Sequence, residues 1–422
     1  MLLDDTTKGV PPSARIAQEA VSSMGWNLLH EDFDLPVCVL RQTAMENNIK
    51  WMQSLVNDQG ALFAPHGKTY MSPTLFSRQL EAGAWAITLA TGHQVRVARA
   101  FGIKRIILAN QLVGRAFARY IFQEINANND FEFYCLVDSF ENIKALEKLA
   151  HQEALRRPLR VLIELGYPGG RCGCRSVNEA LALAEYIDNS QYLDLHGVEG
   201  FEGYIHGDGP ENVAAKIRTF LTDLIRFTQT TDEKGWFVEG SILLSVGGSA
   251  FYDLVLTETA GAHLPARCKV VTRSGCYLAH DAIMYRDFFQ QIQARTPSIG
   301  NREHGLFEAL EVWSYVLSRP EPGRVILNVG RRDISYDDLP LIHSLVQFEA
   351  GGAGRIQPLV DHRVVDVNDQ HLHVACPEDS PVRVGDAMVL GVSHPCLTFD
   401  KWRNVFVRDD NYNIVESIST WF

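Results

Sequence analysis

The sequence predicts an α/β fold, a (β/α)8 barrel followed by a C-terminal all-β domain. Three observations predict it. Short apolar strand-like runs alternate with helix-like periodic stretches from about residue 60 to 280, and eight such runs can be counted. Beyond residue 308 the helical period gives way to strand-like runs separated by turns. The length of 422 residues is about three times a single-domain prior of roughly 150, which leaves room for a barrel and a second module.

The elements follow in chain order. An apolar strand over Val37–Leu40, just after Pro36, is assigned to the β module. The eight runs are Leu62–Lys68, Ala86–Thr91, Arg105–Asn110, Glu132–Asp138, Arg160–Gly166, Leu195–Tyr204, Ser241–Ser249 and Lys269–Gly275. Between them the spacing predicts helices such as Pro73–Ala82, Gly92–Ala100, Ser139–His151, Ser176–Asn189 and Glu211–Thr231. An open doubly wound sheet is the competing arrangement. The count of eight and the lack of an early Gly-x-Gly-x-x-Gly favour a TIM barrel. Residues 308–422 are cut by turns such as Glu321-Pro322-Gly323 and Asp409-Asp410-Asn411. The barrel is assigned to residues 41–295, and residues 1–40 with 296–422 to the β domain.

Composition narrows the function. Apolar residues are 46% and charged residues 21%, which excludes a disordered chain. Lys plus Arg total 39 and Asp plus Glu 51, a net charge of −12. That balance, without a basic run or zinc-knuckle spacing, argues against a nucleic-acid partner. No apolar run is long enough to span a bilayer, so no membrane partner is expected. The first residues, MLLDDTTKGV, place two aspartates where a signal peptide has basic residues, and a cytoplasmic location is expected. The eight cysteines are accordingly read as thiols rather than a disulfide framework.

Active groups of a barrel lie at the C-terminal ends of its strands. The first run ends in His66-Gly67-Lys68-Thr69. A lysine at a buried strand end is expected to be desolvated and to act as a nucleophilic amine; a lysine reaching solvent at the rim is the alternative. Val246-Gly247-Gly248-Ser249 follow the seventh run, and Gly275-Cys276 the eighth. Barrels often bind phosphate there, because glycines let backbone N–H groups approach an anion. A lysine and a phosphate cup on one rim point to a phosphorylated aldehyde cofactor, pyridoxal phosphate. Arg171, Tyr204, His206 and Arg273 lie on the same rim, where each is also compatible with a surface or core-edge role. Cys172-Gly173-Cys174 is disfavoured as a metal site by Arg171 and Arg175 beside it. His394-Pro395-Cys396 and His371-Leu372-His373 share a spacing that puts both side chains on one side of an extended segment. Spacing alone does not choose between them. Imidazole with thiolate favours zinc over magnesium or manganese.

Pro65-His66-Gly67-Lys68-Thr69, Gly83-Ala84-Trp85, Ala90-Thr91, Ile107-Leu108-Ala109-Asn110, Gly169-Gly170-Arg171 and Arg273-Ser274-Gly275 resemble the alanine-racemase-like enzymes of pyridoxal phosphate, fold type III. The similar branch contains D-threonine aldolases and the D-serine or D-threonine dehydratases, also called amino acid deaminases. The resemblance covers nearly the whole chain. It implies a cofactor-binding barrel with a β domain behind it, and a homodimer. It implies that Lys68 carries the cofactor, and that Tyr204, Ser249, Gly275 and Cys276 contact it, mainly at its phosphate end. Arg171 matches an arginine near the ring's phenolic oxygen, and Arg273 one facing the pyridine nitrogen. Glu211 stands where relatives have a second tyrosine, so that contact must differ. Dehydratases of this branch carry His-x-Cys where the aldolases carry His-x-Asp, which selects His394 and Cys396 as zinc ligands. The implied activity is a zinc-assisted dehydratase (ammonia-lyase) turning a β-hydroxy D-amino acid, such as D-serine or D-threonine, into a 2-keto acid and ammonia. The competing activities are retro-aldol cleavage to glycine and an aldehyde, racemisation, and non-catalytic cofactor binding. Cys396 and the long β-rich tail speak against the first and the last.

Overall fold

The computed structural model describes residues 2–349 and 352–422. Eight strands form one parallel sheet: β1 (Leu62–Phe63), β2 (Ile87–Leu89), β3 (Arg105–Gln111), β4 (Glu132–Val137), β5 (Leu159–Glu164), β6 (Leu193–Glu199), β7 (Ile242–Ser245) and β8 (Cys268–Thr272). Their order is β1-β8-β7-β6-β5-β4-β3-β2. A parallel bridge between His66 and Thr88 joins the two remaining edges, and the Thr88 amide donates to the Pro65 carbonyl at 3.0 Å. Closure leaves no free strand edge. Each strand is followed by a helix, from Pro73–Glu81 after β1 to Met284–Arg295 after β8. The fold is a closed eight-stranded parallel barrel, as the sequence predicts.

The two-residue period of the strands sorts their side chains. Ile107, Tyr134, Leu136, Leu162, Leu243 and Val271 form one cluster with Ala64 and Ala86. Their strand neighbours Ile106, Leu108, Phe133, Cys135, Val161 and Leu244 belong to the larger core shared with the helices. Leu162 is fully buried, and burial of one such side chain contributes about 1.5–3 kcal/mol. Helix starts are set locally. Thr91, Ser139 and Ser176 each accept a hydrogen bond from the amide three residues on, at 3.3, 3.3 and 3.2 Å. The strands stop earlier than their apolar runs predict: β1 at Phe63 rather than Lys68, and β6 at Glu199 rather than Tyr204. Pro65 and Gly67 in one case, and Gly200 and Gly203 in the other, break the ladder.

Ten strands make the second sheet. Its longest strand, Leu310–Glu321, pairs antiparallel with Ala387–Gly391, with Arg324–Leu327 and with Val37–Arg41. Val37–Arg41 also pairs in parallel with Asn404–Arg408. The strand that precedes the barrel is therefore part of the C-terminal sheet. Backbone bonds fasten this sheet to the barrel's C-terminal rim. The Ala309 amide donates to Ala279 at 2.7 Å, the Ala282 amide to Val392 at 3.0 Å, and the Trp421 amide to Met71 at 2.9 Å. The Ala282–Val392 bond holds the segment carrying His394 and Cys396 against the loop after β8.

Candidate active site and metal centre

Beyond β1 the chain makes one 3-10 turn, Gly67–Thr69. Gly67 and Thr69 are buried in it, while Lys68 is exposed. The expected desolvation of Lys68 is thus not what the structure shows; the middle residue of a three-residue turn faces outward while its neighbours pack. Gly67 is required there, because a Cβ would lie 2.5 Å from the Phe76 ring. His66 caps the turn, and its enclosed Nδ1 has no hydrogen-bond partner. Burial first, then the charges of Lys68, Arg273 and Arg171, hold this imidazole well below its usual range. It is a neutral ring among cations.

The end of β8 lies directly on this turn. A Cβ on Gly275 would come within 2.6 Å of the His66 carbonyl oxygen and 2.9 Å of Thr69 Oγ1. Ser274 Oγ donates to the Gly248 carbonyl at 2.9 Å, tying the ends of β8 and β7 together. The glycine pair expected as a phosphate cup is already engaged. The buried Glu202 carboxylate accepts the Gly248 amide at 2.6 Å and the Gly247 amide at 3.3 Å. Among the described residues, the amides of Ser249 and Gly275 donate to no protein acceptor and are donors available to an anion.

Arg273 is enclosed, ion-paired to Glu199, and donates to the Gly200 carbonyl at 2.9 Å. Arg273 Nε and Glu199 Oε2 remain without partners. Burial pushes Glu199 up to about 7 against the pull of Arg273. Arg171 lies over the Phe201 ring at 4.7 Å and the Tyr204 ring at 5.0 Å, a cation–π stack. Tyr204 is 53% exposed and reaches towards His206 at 6.4 Å between ring centres. The exposed amine, the two unbonded amides and the unpartnered Arg273 Nε form a donor set that fits a phosphorylated ring. Glu199 and Glu202 carry no separate signal in the sequence, since both lie within the single strand-like run Leu195–Tyr204.

His394 and Cys396 come together, but not on a strand. Pro395 has φ −59° and ψ −41°, and Cys396 opens the short helix Cys396–Phe399. The extended geometry expected from sequence therefore does not hold: Pro395, whose fixed φ admits either a helical or an extended ψ, takes the helical one. Asp337 Oδ2 accepts from His394 Nδ1 at 2.6 Å and Asp337 Oδ1 from Ser393 Oγ at 3.2 Å. Ser335 Oγ accepts the His394 amide at 3.1 Å. With Nδ1 taken, Nε2 is the nitrogen left for a metal. Hydrogen bonds from Cys276 and then His394 hold the Cys396 thiol well below its usual range. His394 is pushed up to about 9: burial opposes the charge, while Cys396 and then Asp337 favour it. Imidazole beside an ionised thiol is a donor set that suits zinc. Cys396 Sγ is 3.5 Å from Thr69 Oγ1, one residue from Lys68. The rival pair lies elsewhere: His373 is bonded to Arg324 and Asn368. Asp138, Glu164 and Cys172 also bring ligand atoms within 4.8 Å of one another, with Asp138 and Glu164 already bonded to Gly173 and Gln111. Asp337 and Ser335 escaped the sequence analysis, since nothing local links them to a residue more than 50 positions away.

The sequence model of the "Alanine racemase, N-terminal domain" family matches residues 40–250, half of the chain. The chain belongs to this family. The model of the "Putative serine dehydratase domain" matches residues 309–408. A D-threonine aldolase of Arthrobacter sp is 26% identical over 316 residues, 72% of this chain and 73% of that protein. The crystal structure of D-threonine aldolase from Filomicrobium marinum superposes with a TM-score of 0.73 at 19% identity, over 94% of this chain and 97% of that one. The D-threo-3-hydroxyaspartate dehydratase from Delftia sp. HT23 gives 0.70 at 20% identity, over 92% and 97%. Further similar structures are a histidine variant and a cysteine variant, two positions apart, of a D-threo-3-hydroxyaspartate dehydratase, the cysteine variant in a metal-free form. Membership in the alanine racemase family implies pyridoxal phosphate as cofactor, and the relatives named here are lyases of D-hydroxyamino acids.

Proposed function

We propose that this chain is a pyridoxal-phosphate- and zinc-dependent dehydratase (ammonia-lyase) that converts a β-hydroxy D-amino acid, such as D-serine or D-threonine, to a 2-keto acid and ammonia. The observation that carries this reading is the His394–Cys396 pair, oriented by Asp337 and set against Thr69 beside Lys68. When bound, pyridoxal phosphate supplies an electron sink for the α-carbon. Zinc supplies a Lewis acid that improves a hydroxyl leaving group.

The chain's own residues do the rest. Lys68 Nζ would hold the cofactor and, when free, would serve as general base toward the α-proton. The amides of Ser249 and Gly275 would hold the phosphate, and Cys276 and Tyr204 would add contacts to the cofactor. Arg171, stacked on Phe201 and Tyr204, would orient the ring, with Arg273 at the end of β8 as a further cation toward it. Neutral His66 leaves the site without a further cation next to Lys68. Asp337 keeps a proton on His394 Nδ1, so Nε2 and Cys396 Sγ are the metal-holding atoms.

The histidine and cysteine variants of a D-threo-3-hydroxyaspartate dehydratase, the latter in a metal-free form, support this reading. Retro-aldol cleavage is the second reading, favoured by the similarity to the Arthrobacter aldolase. We further propose a cytoplasmic homodimer acting on a small amino acid, with no nucleic-acid or membrane partner. Among the described residues no helix is long and apolar enough to cross a membrane. The test is removal and return of the metal. Chelation should stop keto-acid formation from D-threonine and zinc should restore it, whereas full activity in chelator rejects the metal's role.

A further inference from the structure

Two donors from the β domain leave a zinc ion short of the three protein ligands that a catalytic site ordinarily has. A third candidate donor lies beside Cys396. Cys276 Sγ lies 3.6 Å from Cys396 Sγ, and both sulfurs flank Thr69 Oγ1, at 3.7 and 3.5 Å. From this geometry we infer that Cys276 is a ligand of the same metal, making the centre a His394–Cys396–Cys276 site with its fourth position open to substrate. This inference rests on the metal-dependent reading above.

The spacing argues for it. Two thiolates bound to one tetrahedral zinc at about 2.3 Å are about 3.8 Å apart. The observed 3.6 Å is close to that, and far from the roughly 2.05 Å of a disulfide. Both cysteines are free thiols. Cys276 is buried and starts the 3-10 turn Cys276–Leu278 directly after Gly275, which His66 and Thr69 hold in place. Its sulfur therefore has a fixed position. The ligand atoms of His394, Cys396 and Cys276 do not all lie within 4.8 Å of one another, so convergence on one ion asks for an adjustment of the His394 side chain. The Cys276 backbone stays free for the cofactor's phosphate end while its sulfur serves the metal. One residue after β8 then links the two cofactors, and the metal site is shared between barrel and β domain. Zinc ionises a coordinating thiol outright, which removes the hydrogen that the two sulfurs otherwise share.

The experiment uses the full chain loaded with pyridoxal phosphate and zinc. X-ray absorption at the zinc edge should count two sulfurs per zinc. One sulfur per zinc overturns the inference and leaves the His394–Cys396 site standing; failure to retain zinc, or no sulfur, rejects that underlying site instead. The second measurement replaces zinc with cobalt. The thiolate-to-cobalt charge-transfer band should fall to about half in Cys276→Ser and in Cys396→Ser, and stay unchanged in Cys172→Ser. An undiminished band in Cys276→Ser overturns the inference. The wild-type sulfur count decides the matter if Cys276→Ser does not fold.

Discussion

Replacing Gly275 by alanine puts a methyl group where the end of β8 crosses the Lys68 turn. The new Cβ would lie 2.6 Å from the His66 carbonyl oxygen, 2.9 Å from His66 Cβ and 2.9 Å from Thr69 Oγ1. Ordinary contact begins at about 3.4 Å, so the two backbones must part by roughly 0.8 Å. The φ of Gly275 is −107°, a value alanine adopts freely, so the clash alone acts. Overpacking of this kind costs about 1–3 kcal/mol of stability. A shift near 1 Å at a reacting centre costs about 100-fold in rate. Gly275→Ala should therefore lower kcat/KM by about 10- to 100-fold, weaken cofactor retention and lower the thermal midpoint. The assay is steady-state keto-acid formation with a titration of pyridoxal phosphate into the stripped protein. Activity within about twofold of wild type, with unchanged cofactor affinity, would refute the claim that this crossing positions Lys68.

Other perturbations bear on separate parts of the site. Lys68→Ala should abolish the near-visible absorbance band of the lysine-bound cofactor, and a surviving band would remove Lys68 from that role. Asp337→Ala takes away the acceptor of His394 Nδ1 and should weaken zinc by about 10- to 100-fold in a chelator competition; unchanged affinity contradicts the orienting role. Arg273→Ala strands the buried Glu199 carboxylate and should cost about 3–5 kcal/mol in urea unfolding, while a loss below about 1 kcal/mol would show the pair to be dispensable. Glu199 titrates at about 7 in the folded chain against an ordinary 4.5, so the folded state holds the extra proton between those values. Stability should fall as pH rises through that window, and Glu199→Gln should remove this part of the slope. An unaltered slope would mean Glu199 is not the group responsible.

The barrel was legible in the sequence because its signal is local. Runs such as Arg105–Asn110 and Glu132–Asp138 are apolar and short, and Ser139 and Ser176 announce the helices after them. Strand ends were less legible, since the residues just past β1 and β6 are also largely apolar but contain the prolines and glycines that end the ladder. Motifs mark the position of Lys68 just beyond β1 and the pairing of His394 with Cys396. What remained hidden depends on distance along the chain. Asp337 finds His394 across 57 positions and Cys276 finds Cys396 across 120. Glu202 occupying the Gly247 and Gly248 amides is a tertiary event that no spacing announces. The exposure of Lys68 and the helix at Cys396 were misread for a related reason. A residue pattern was taken for a strand end or an extended segment, when a turn and a proline set the local geometry.

The most direct measurement is the product released from D-threonine by the chain loaded with pyridoxal phosphate and zinc. The dehydratase reading predicts 2-ketobutyrate and ammonia in equal amounts, lost on chelation and regained with zinc. Glycine and acetaldehyde in their place would contradict it and make the enzyme an aldolase.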